Sequence, residues 1–153
     1  MNITEIRIKL LLSTRDKLRG FASITIDDRL VVRDIKIIEG ARGLFVAMPS
    51  RKLCDRCPQC AAKNHLRARY CNDCGARLGD DRGVLDERGR PRLYADIAHP
   101  INQRSRDLVQ GAILTEFARE LERSKQEGYV ATSFDDLDYD YLEEFGPEGG
   151  DAA

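Results

Sequence analysis

The sequence has no tryptophan, only two histidines and no apolar run near the roughly eighteen residues that a membrane-spanning helix needs. Its first five residues lack the basic-then-apolar pattern of a secretory signal, so we expect a cytoplasmic protein with no membrane partner. No glycine-rich phosphate loop follows a strand, and no nucleophile is placed with His65 or His99. We therefore expect that the protein is not an enzyme.

Net charge is also nearly absent, at −1, but this total conceals a division along the chain. Residues 1–125 contain all 25 Lys and Arg and 17 of the 26 acidic residues, a net charge of +8. Residues 126–153 contain the other 9 acids and no base. This composition predicts a disordered acidic tail at 129–153. Such a tail can be merely solvated, can fold back on the basic body as a mimic of nucleic acid, or can dock a partner protein.

Cysteine is scarce, yet four of the five cysteines form two Cys-x2-Cys pairs, Cys57 with Cys60 and Cys71 with Cys74. Each pair can turn two thiolates to one side of a tight knuckle, and two facing knuckles make a tetrahedron of sulfurs that suits Zn²⁺. Because four thiolates leave no open position for water, we predict one structural zinc ion. Disulfides and a four-thiolate iron site are the alternatives. The fifth cysteine, Cys54, and His65 can compete as ligands, although a spare thiol is the simpler interpretation of Cys54.

Four segments before the cysteines show the alternation or the β-branched enrichment of strands, and short turns join them. They lie at 6–10, 22–26, 30–38 and 44–48. A fifth strand is predicted at 92–97. Apolar residues then recur at helical spacing, which predicts one long helix; they are Val109, Ala112, Ile113, Phe117 and Leu121. The predicted fold class is α+β, an antiparallel β-meander of about five strands packed by one C-terminal helix.

The ends of this helix and the boundaries of the domain follow from turn and capping residues. Asn102 or Ser105 can cap the helix, and Gly128 is a plausible stop. The strand pattern stops near residue 50 and resumes near residue 92. We therefore predict a body at 1–50 and 92–128, a zinc-ribbon-like insertion in a hairpin loop at 51–78, and a polar, flexible linker at 79–91.

Several ungapped segments resemble the septation protein SpoVG family; they lie at 22–27, 31–40, 43–50 and 96–102. With the opening strand and the helix, the resemblance covers roughly residues 1–50 and 92–123. It implies a small bacterial regulator that binds DNA or RNA, forms a homodimer through its sheet and is not an enzyme. It also implies a link to septation, sporulation and gene regulation. The insertion and the acidic tail depart from the usual family member.

Basic side chains in the insertion are candidates for contact with nucleic acid. Between Arg51 and Arg77 there are seven bases and two acids, and cations that neutralise phosphates give salt-dependent affinity. Arg51 and Lys52 match a basic pair that the family often has after its fourth strand. Arg67 and Arg69, with Tyr70, can present a fork and a stacking ring.

The helix start is the other candidate region. The family carries a Thr-Arg-Gly-Lys-like cluster there, whereas this chain reads Ser105-Arg106-Asp107-Leu108 and keeps one base. The predicted nucleic-acid-binding residues are thus Arg51, Lys52, Arg67, Arg69, Arg104 and Arg106. Two other roles stay open for the insertion, a purely structural loop or a knuckle that docks proteins. In the second case the knuckle and the tail would make the chain an interaction adaptor.

Overall fold

The structure, a computed structural model, describes residues 1–11 and 15–132 and divides into two compact units. The first, here called the body, comprises Met1–Pro49 and the chain from His99 onward. The second, here called the ribbon unit, is Ser50–Ala98. The predicted disordered tail lies outside the described residues from position 133 on. Among the described residues, no helix is long and apolar enough to cross a membrane.

The body contains a four-stranded antiparallel meander, in the order β1-β2-β3-β4. Its strands are β1 (Ile3–Leu10), β2 (Leu18–Ile26), β3 (Leu30–Gly40) and β4 (Gly43–Ala47). The β2–β3 turn places Asp27 and Asp28 at φ 51° and 54°. Two successive positive φ values match the right-handed twist of a two-residue hairpin, and aspartate tolerates them better than most residues. The meander and its tight turns confirm the α+β class.

One helix, α1 (Gln103–Ser124), packs on this sheet through Val109, Ile113 and Phe117. The sheet contributes the other buried apolar residues of the core: Ile8, Ala22, Ile24, Ile35, Ile37 and Val46. Asn102 is the cap, because its side-chain oxygen accepts from the Ser105 backbone N–H at 2.8 Å. The helix ends at Ser124 rather than continuing to the predicted stop at Gly128.

Glu120 occupies a position that the sequence pattern had placed on the polar side of α1, but its residue is only 1% exposed. After the helix the chain folds back, so that the Tyr129 hydroxyl donates to Glu120 Oε1 at 2.5 Å and Arg123 pairs with the other carboxylate oxygen. Burial, reinforced by the hydrogen bond to Glu120, raises the pKa of Tyr129 to about 12. A buried carboxylate is tolerated here because it has these partners.

The predicted fifth strand forms over Tyr94–Asp96 (β8), but it does not join the four-stranded sheet. It pairs with β5 (Ser50–Lys52) inside the ribbon unit. A second short ladder joins β6 (Cys54–Arg56) to β7 (Lys63–His65). The meander is therefore one strand shorter than expected, because alternation reveals a strand without revealing its hydrogen-bonding partner.

Candidate metal centre and basic clefts of the ribbon unit

Cys57, Cys60, Cys71 and Cys74 converge on one point of the ribbon unit. Their Sγ atoms all lie within 4.8 Å of one another. The closest approaches run between the two pairs, at 3.7 Å for Cys57 with Cys74 and 3.5 Å for Cys60 with Cys71. The four sulfurs are therefore close enough to hold one metal ion. Cys54 and His65, the possible competitors, are outside this group.

Two knuckles of equal hydrogen-bond pattern place these sulfurs. The backbone N–H groups of Cys57 and Cys71 each donate to the carbonyl five residues later, at 2.8 Å. The N–H groups of Ala61 and Gly75 return to the carbonyls of those same cysteines, at 2.9 and 3.0 Å. Ala61 and Gly75 also share a left-handed backbone, with φ of 62° and 73°. Glycine adopts this conformation freely, whereas alanine is strained in it.

Donors around the sulfurs favour the thiolate form. Backbone N–H groups of Gln59 and Asp73 point at the sulfurs of Cys57 and Cys71, each at 3.4 Å. The side-chain amide of Asn64 adds a third such contact, 3.4 Å from Cys71 Sγ. Hydrogen bonds to the charged form lower a pKa. The Cys74 backbone and then the Asn64 amide are the main causes that lower the pKa of Cys71 to about 6.

Asn64 is a site residue that sequence reasoning missed. It is 4% exposed, and its Oδ1 accepts from the Asn72 backbone N–H at 2.8 Å while its amide reaches Cys71. Asn64 thus ties β7 to the second knuckle and orients one ligand from outside the ligand set. Cysteine spacing carries no signal for such a residue, because its role depends on how the two knuckles face each other.

Arg82 lies in the segment that was predicted to be a linker, yet it joins several parts of the ribbon unit. Its guanidinium pairs with Asp55 and donates to the carbonyls of Ala68 at 2.6 Å, His65 at 3.1 Å and Gly79 at 3.0 Å. The Arg82 side chain is only 13% exposed. Five donors in a planar fork suit an arginine to such a junction.

The rest of residues 79–91 contains a tight turn organised by Asp86. Its carboxylate accepts from the backbone N–H groups of Arg88 and Arg90, at 2.9 and 2.8 Å. The Arg90 side chain adds an ion pair at 3.1 Å. These bonds, led by the Arg90 backbone contact, lower the pKa of Asp86. The turn brings Leu85 into a β-bridge with Pro91.

The six predicted nucleic-acid-binding residues are all exposed, and they divide between the two units. The ribbon unit carries Arg51, Lys52, Arg67 and Arg69, whereas Arg104 and Arg106 lie in the first turn of α1 in the body.

Two clefts in the ribbon unit bring some of these residues together. A cleft of about 130 Å³, here called the tyrosine cleft, is lined by Lys52, Leu53, His65, Leu66, Arg67, Leu93 and Tyr94. A larger one of about 1010 Å³, here called the arginine cleft, has Arg67, Arg69, Arg82 and Arg90 among its lining residues, with Asp80 and Asp81. Leu66, Arg67 and Leu93 border both clefts, so the two are continuous.

Tyr70, the predicted stacking ring, lines neither of these clefts. Its ring is instead in contact with the guanidinium of Arg77, whose central carbon is 5.9 Å from the ring centroid. Tyr94 is the aromatic ring beside Lys52 and Arg67, and it is 49% exposed. Sequence reasoning missed Tyr94 because it was assigned to the main sheet.

These observations define a small α+β protein whose four-stranded sheet and single helix are accompanied by a four-cysteine, basic unit. The sequence profile of the SpoVG family matches residues 1–119, and the chain belongs to this family.

Several curated relatives carry the name septation protein SpoVG. The one from Finegoldia magna is 36% identical over 123 residues, which cover 80% of each chain. The relative from Lachnospira eligens is 37% identical over 78% of this chain and 93% of its own length. The relative from Agathobacter rectalis is 38% identical over 80% of this chain and 98% of its own length.

Proposed function

We propose that this member of the SpoVG family is a nucleic-acid-binding regulatory protein whose ribbon unit contacts the ligand and is held together by a structural zinc ion. One observation carries the proposal. Lys52 and Arg67 are exposed, line the same cleft, and form no ion pair with any residue that the structure describes. The septation named for the relatives is the pathway in which we expect this regulation.

The charge balance of the ribbon unit supports this role. The stretch from Arg51 to Arg77 has seven bases and two acids. Zn²⁺ with four thiolates contributes about −2, so this stretch stays positive. One of the two acids, Asp55, is paired with Arg82. The exposed cations are therefore available to phosphates, where each contact releases counterions and makes binding depend on salt.

Zinc is the metal that the donor set favours. Four cysteine sulfurs in two facing knuckles match the closed tetrahedral sites of structural zinc, and hard cations such as Mg²⁺ prefer oxygen ligands. Native mass spectrometry with elemental analysis should find one zinc ion per chain. A Cys57→Ser/Cys60→Ser variant should lose it, whereas Cys54→Ser should keep it because Cys54 lies outside the cluster.

The proposed function is tested by fluorescence anisotropy with labelled duplex DNA, single-stranded DNA and RNA across a salt series. We expect the Lys52→Ala/Arg67→Ala variant to bind more weakly and to lose a slope of about 0.7 to 0.9 per phosphate contact in a log–log plot. The matched control is Arg88→Ala, an exposed arginine of the same unit that lines neither cleft. If the intact protein binds none of the three ligands at low salt, the proposal is wrong.

An Arg104→Ala/Arg106→Ala variant assigns the binding to one unit or the other. If this variant alone weakens binding, then the body, through the start of α1, carries the contact. If both double variants weaken it, both units take part.

An interaction adaptor is the second candidate, and the exposed apolar side chains of the ribbon unit favour it. Val84, Leu85 and Ile97 are 73%, 61% and 67% exposed. Apolar groups left in solvent often mark protein contacts. Partner capture that is lost in a Val84→Ser/Ile97→Ser variant, while nucleic-acid binding is unchanged, would support the adaptor.

We also propose that the protein forms a homodimer through its sheet. The edge strand β4 leaves Leu44 and Phe45 exposed, at 37% and 41%, and an unpaired strand edge is a template for a second chain. Sedimentation equilibrium should report a dimer, and a charge in the strand, Phe45→Lys, should shift it toward monomer. A monomer in the unmodified protein would contradict this part of the proposal.

A further inference from the structure

We propose that the tyrosine cleft binds one unpaired base of a single-stranded nucleic acid. The base stacks on Tyr94, and Lys52 and Arg67 hold the neighbouring phosphates. This inference rests on the proposed function and makes it more specific, because it names an unpaired strand as the preferred ligand and gives a role to a tyrosine that charge alone does not select.

The backbone of the ribbon unit builds this cleft from three separate segments. Lys52 and Tyr94 are direct partners in the β5–β8 ladder, and side chains of directly opposed residues lie on the same face. Leu53 joins this ladder to the other one. Its N–H donates to the Leu93 carbonyl at 2.8 Å, and its carbonyl accepts from the Leu66 N–H at 3.2 Å. The cation, the ring and the start of the 66–69 segment are thus fixed by backbone hydrogen bonds.

The lining of the cleft suits the face of a base better than it suits a phosphate alone. Leu53, Leu66 and Leu93 are partly buried and give it apolar surface. Tyr94 supplies an exposed aromatic face, and His65 supplies a second ring on the lining. Bases in a duplex expose only their edges because their faces are stacked on each other. A protein ring can therefore stack only on an unpaired base, as in single-strand binding proteins.

Cations border the cleft where a backbone would enter and leave it. Lys52 and Arg67 are exposed, and Arg67 also borders the arginine cleft, which continues past Leu66 and Leu93. Arg69 and Arg90 line that continuation, together with Asp80 and Asp81. A strand with one base on Tyr94 can thus follow a path that is charged along its length. A path of cations with a ring beside it is the usual construction of a single-strand site.

The test uses the full chain with its metal and compares Tyr94→Leu, Tyr94→Phe and Tyr70→Leu. Tyr70 is the matched control, since it is an exposed tyrosine of the same unit that lines neither cleft. Four labelled probes of equal length are titrated: single-stranded thymidine DNA, single-stranded uridine RNA, an abasic deoxyribose strand and duplex DNA. Comparing the DNA and RNA strands distinguishes the two sources of an unpaired base. Metal content measured for each variant confirms that the ribbon unit is intact.

We expect Tyr94→Leu to weaken binding of the thymidine or uridine strand about tenfold, since one base stacked on an aromatic ring contributes about that much. Its salt slope should stay unchanged, because a phenol neutralises no phosphate, and Tyr94→Phe should bind like the unmodified protein. The abasic strand should not distinguish Tyr94 from Leu. Tyr70→Leu should leave all four affinities unchanged.

Two results are decisive and separable. If the unmodified protein binds the strands and Tyr94→Leu binds them equally well, or if duplex DNA binds more tightly than the single strands, the stacking inference is wrong and the proposed function stands. If the unmodified protein binds no probe at low salt, both are wrong. A loss in Tyr70→Leu that is absent in Tyr94→Leu would move the stacking ring to Tyr70 and also overturn the inference.

Discussion

Removing the metal should unfold the ribbon unit and leave the body folded. The ribbon unit has few buried apolar residues: Cys57, Cys71 and Leu78, supported by three partly buried alanines. So small a core cannot offset the conformational entropy of the unit, about 1.5 kcal/mol per ordered residue. Structural zinc supplies about 10–16 kcal/mol in isolated finger peptides. The body has nine buried core residues of its own, so its free energy of unfolding should change by less than about 1 kcal/mol.

Hydrogen exchange at single-residue resolution measures this directly. In the metal-bound protein, the backbone amides of Cys57 and Cys71 are hydrogen bonded inside their knuckles and should exchange slowly. With a strong chelator they should exchange at the rate of an unfolded chain, while the amides of Ile24 and Ile35 in the sheet keep their protection. A Cys54→Ser variant should behave like the unmodified protein before and after chelation.

Two outcomes would refute this reasoning. If the knuckle amides stay protected in metal-free protein, the four cysteines are not what stabilises the ribbon unit. If chelation also exposes the amides of Ile24 and Ile35, the two units do not unfold independently.

Further predictions follow from individual contacts. Ala61→Gly should stabilise the ribbon unit by about 1 kcal/mol in denaturant titrations, because it relieves a left-handed alanine, whereas Gly75→Ala should destabilise it by a similar amount. Arg82→Ala should cost about 2–3 kcal/mol in the same assay, since it leaves Asp55 and three carbonyls without their donor. For Tyr129, whose pKa is raised from 10 to about 12, the linked stability is present below pH 10 and lost as the pH rises through 12. Thermal unfolding between pH 9 and 12 should therefore fall more steeply with pH in the unmodified protein than in Tyr129→Phe; equal slopes would contradict the contact with Glu120.

The parts of the fold that were predictable are those encoded in local patterns. Alternation located the four strands of the meander, and the sequence from Asp27 to Arg29 predicted the turn after β2. The amide of Asn102 caps α1, as its residue type suggested. The two Cys-x2-Cys pairs predicted which four sulfurs meet, because a knuckle is a local turn and two of them can face each other without long-range information.

The remaining features depend on contacts between residues far apart in sequence. The strand at Tyr94–Asp96 was expected in the main sheet, but its partner is Ser50–Lys52, a choice that alternation does not encode. Glu120 is buried because Tyr129 folds back over it, so a helical pattern that ends at Ser124 cannot anticipate it. Arg82 looked like part of a polar linker, since composition does not show which carbonyls a guanidinium can reach.

The pairing of Ser50 with Asp96 means that the chain enters and leaves the ribbon unit at neighbouring points, separated by one strand spacing, about 5 Å. For the chain as a whole, everything between these two residues is therefore topologically equivalent to a single tight turn. A module with adjacent ends can be gained, lost or exchanged during evolution without a change in the connections of its host. It can be replaced by a two-residue turn, or transplanted as a cassette into a surface loop of an unrelated protein, without altering the path of either host chain.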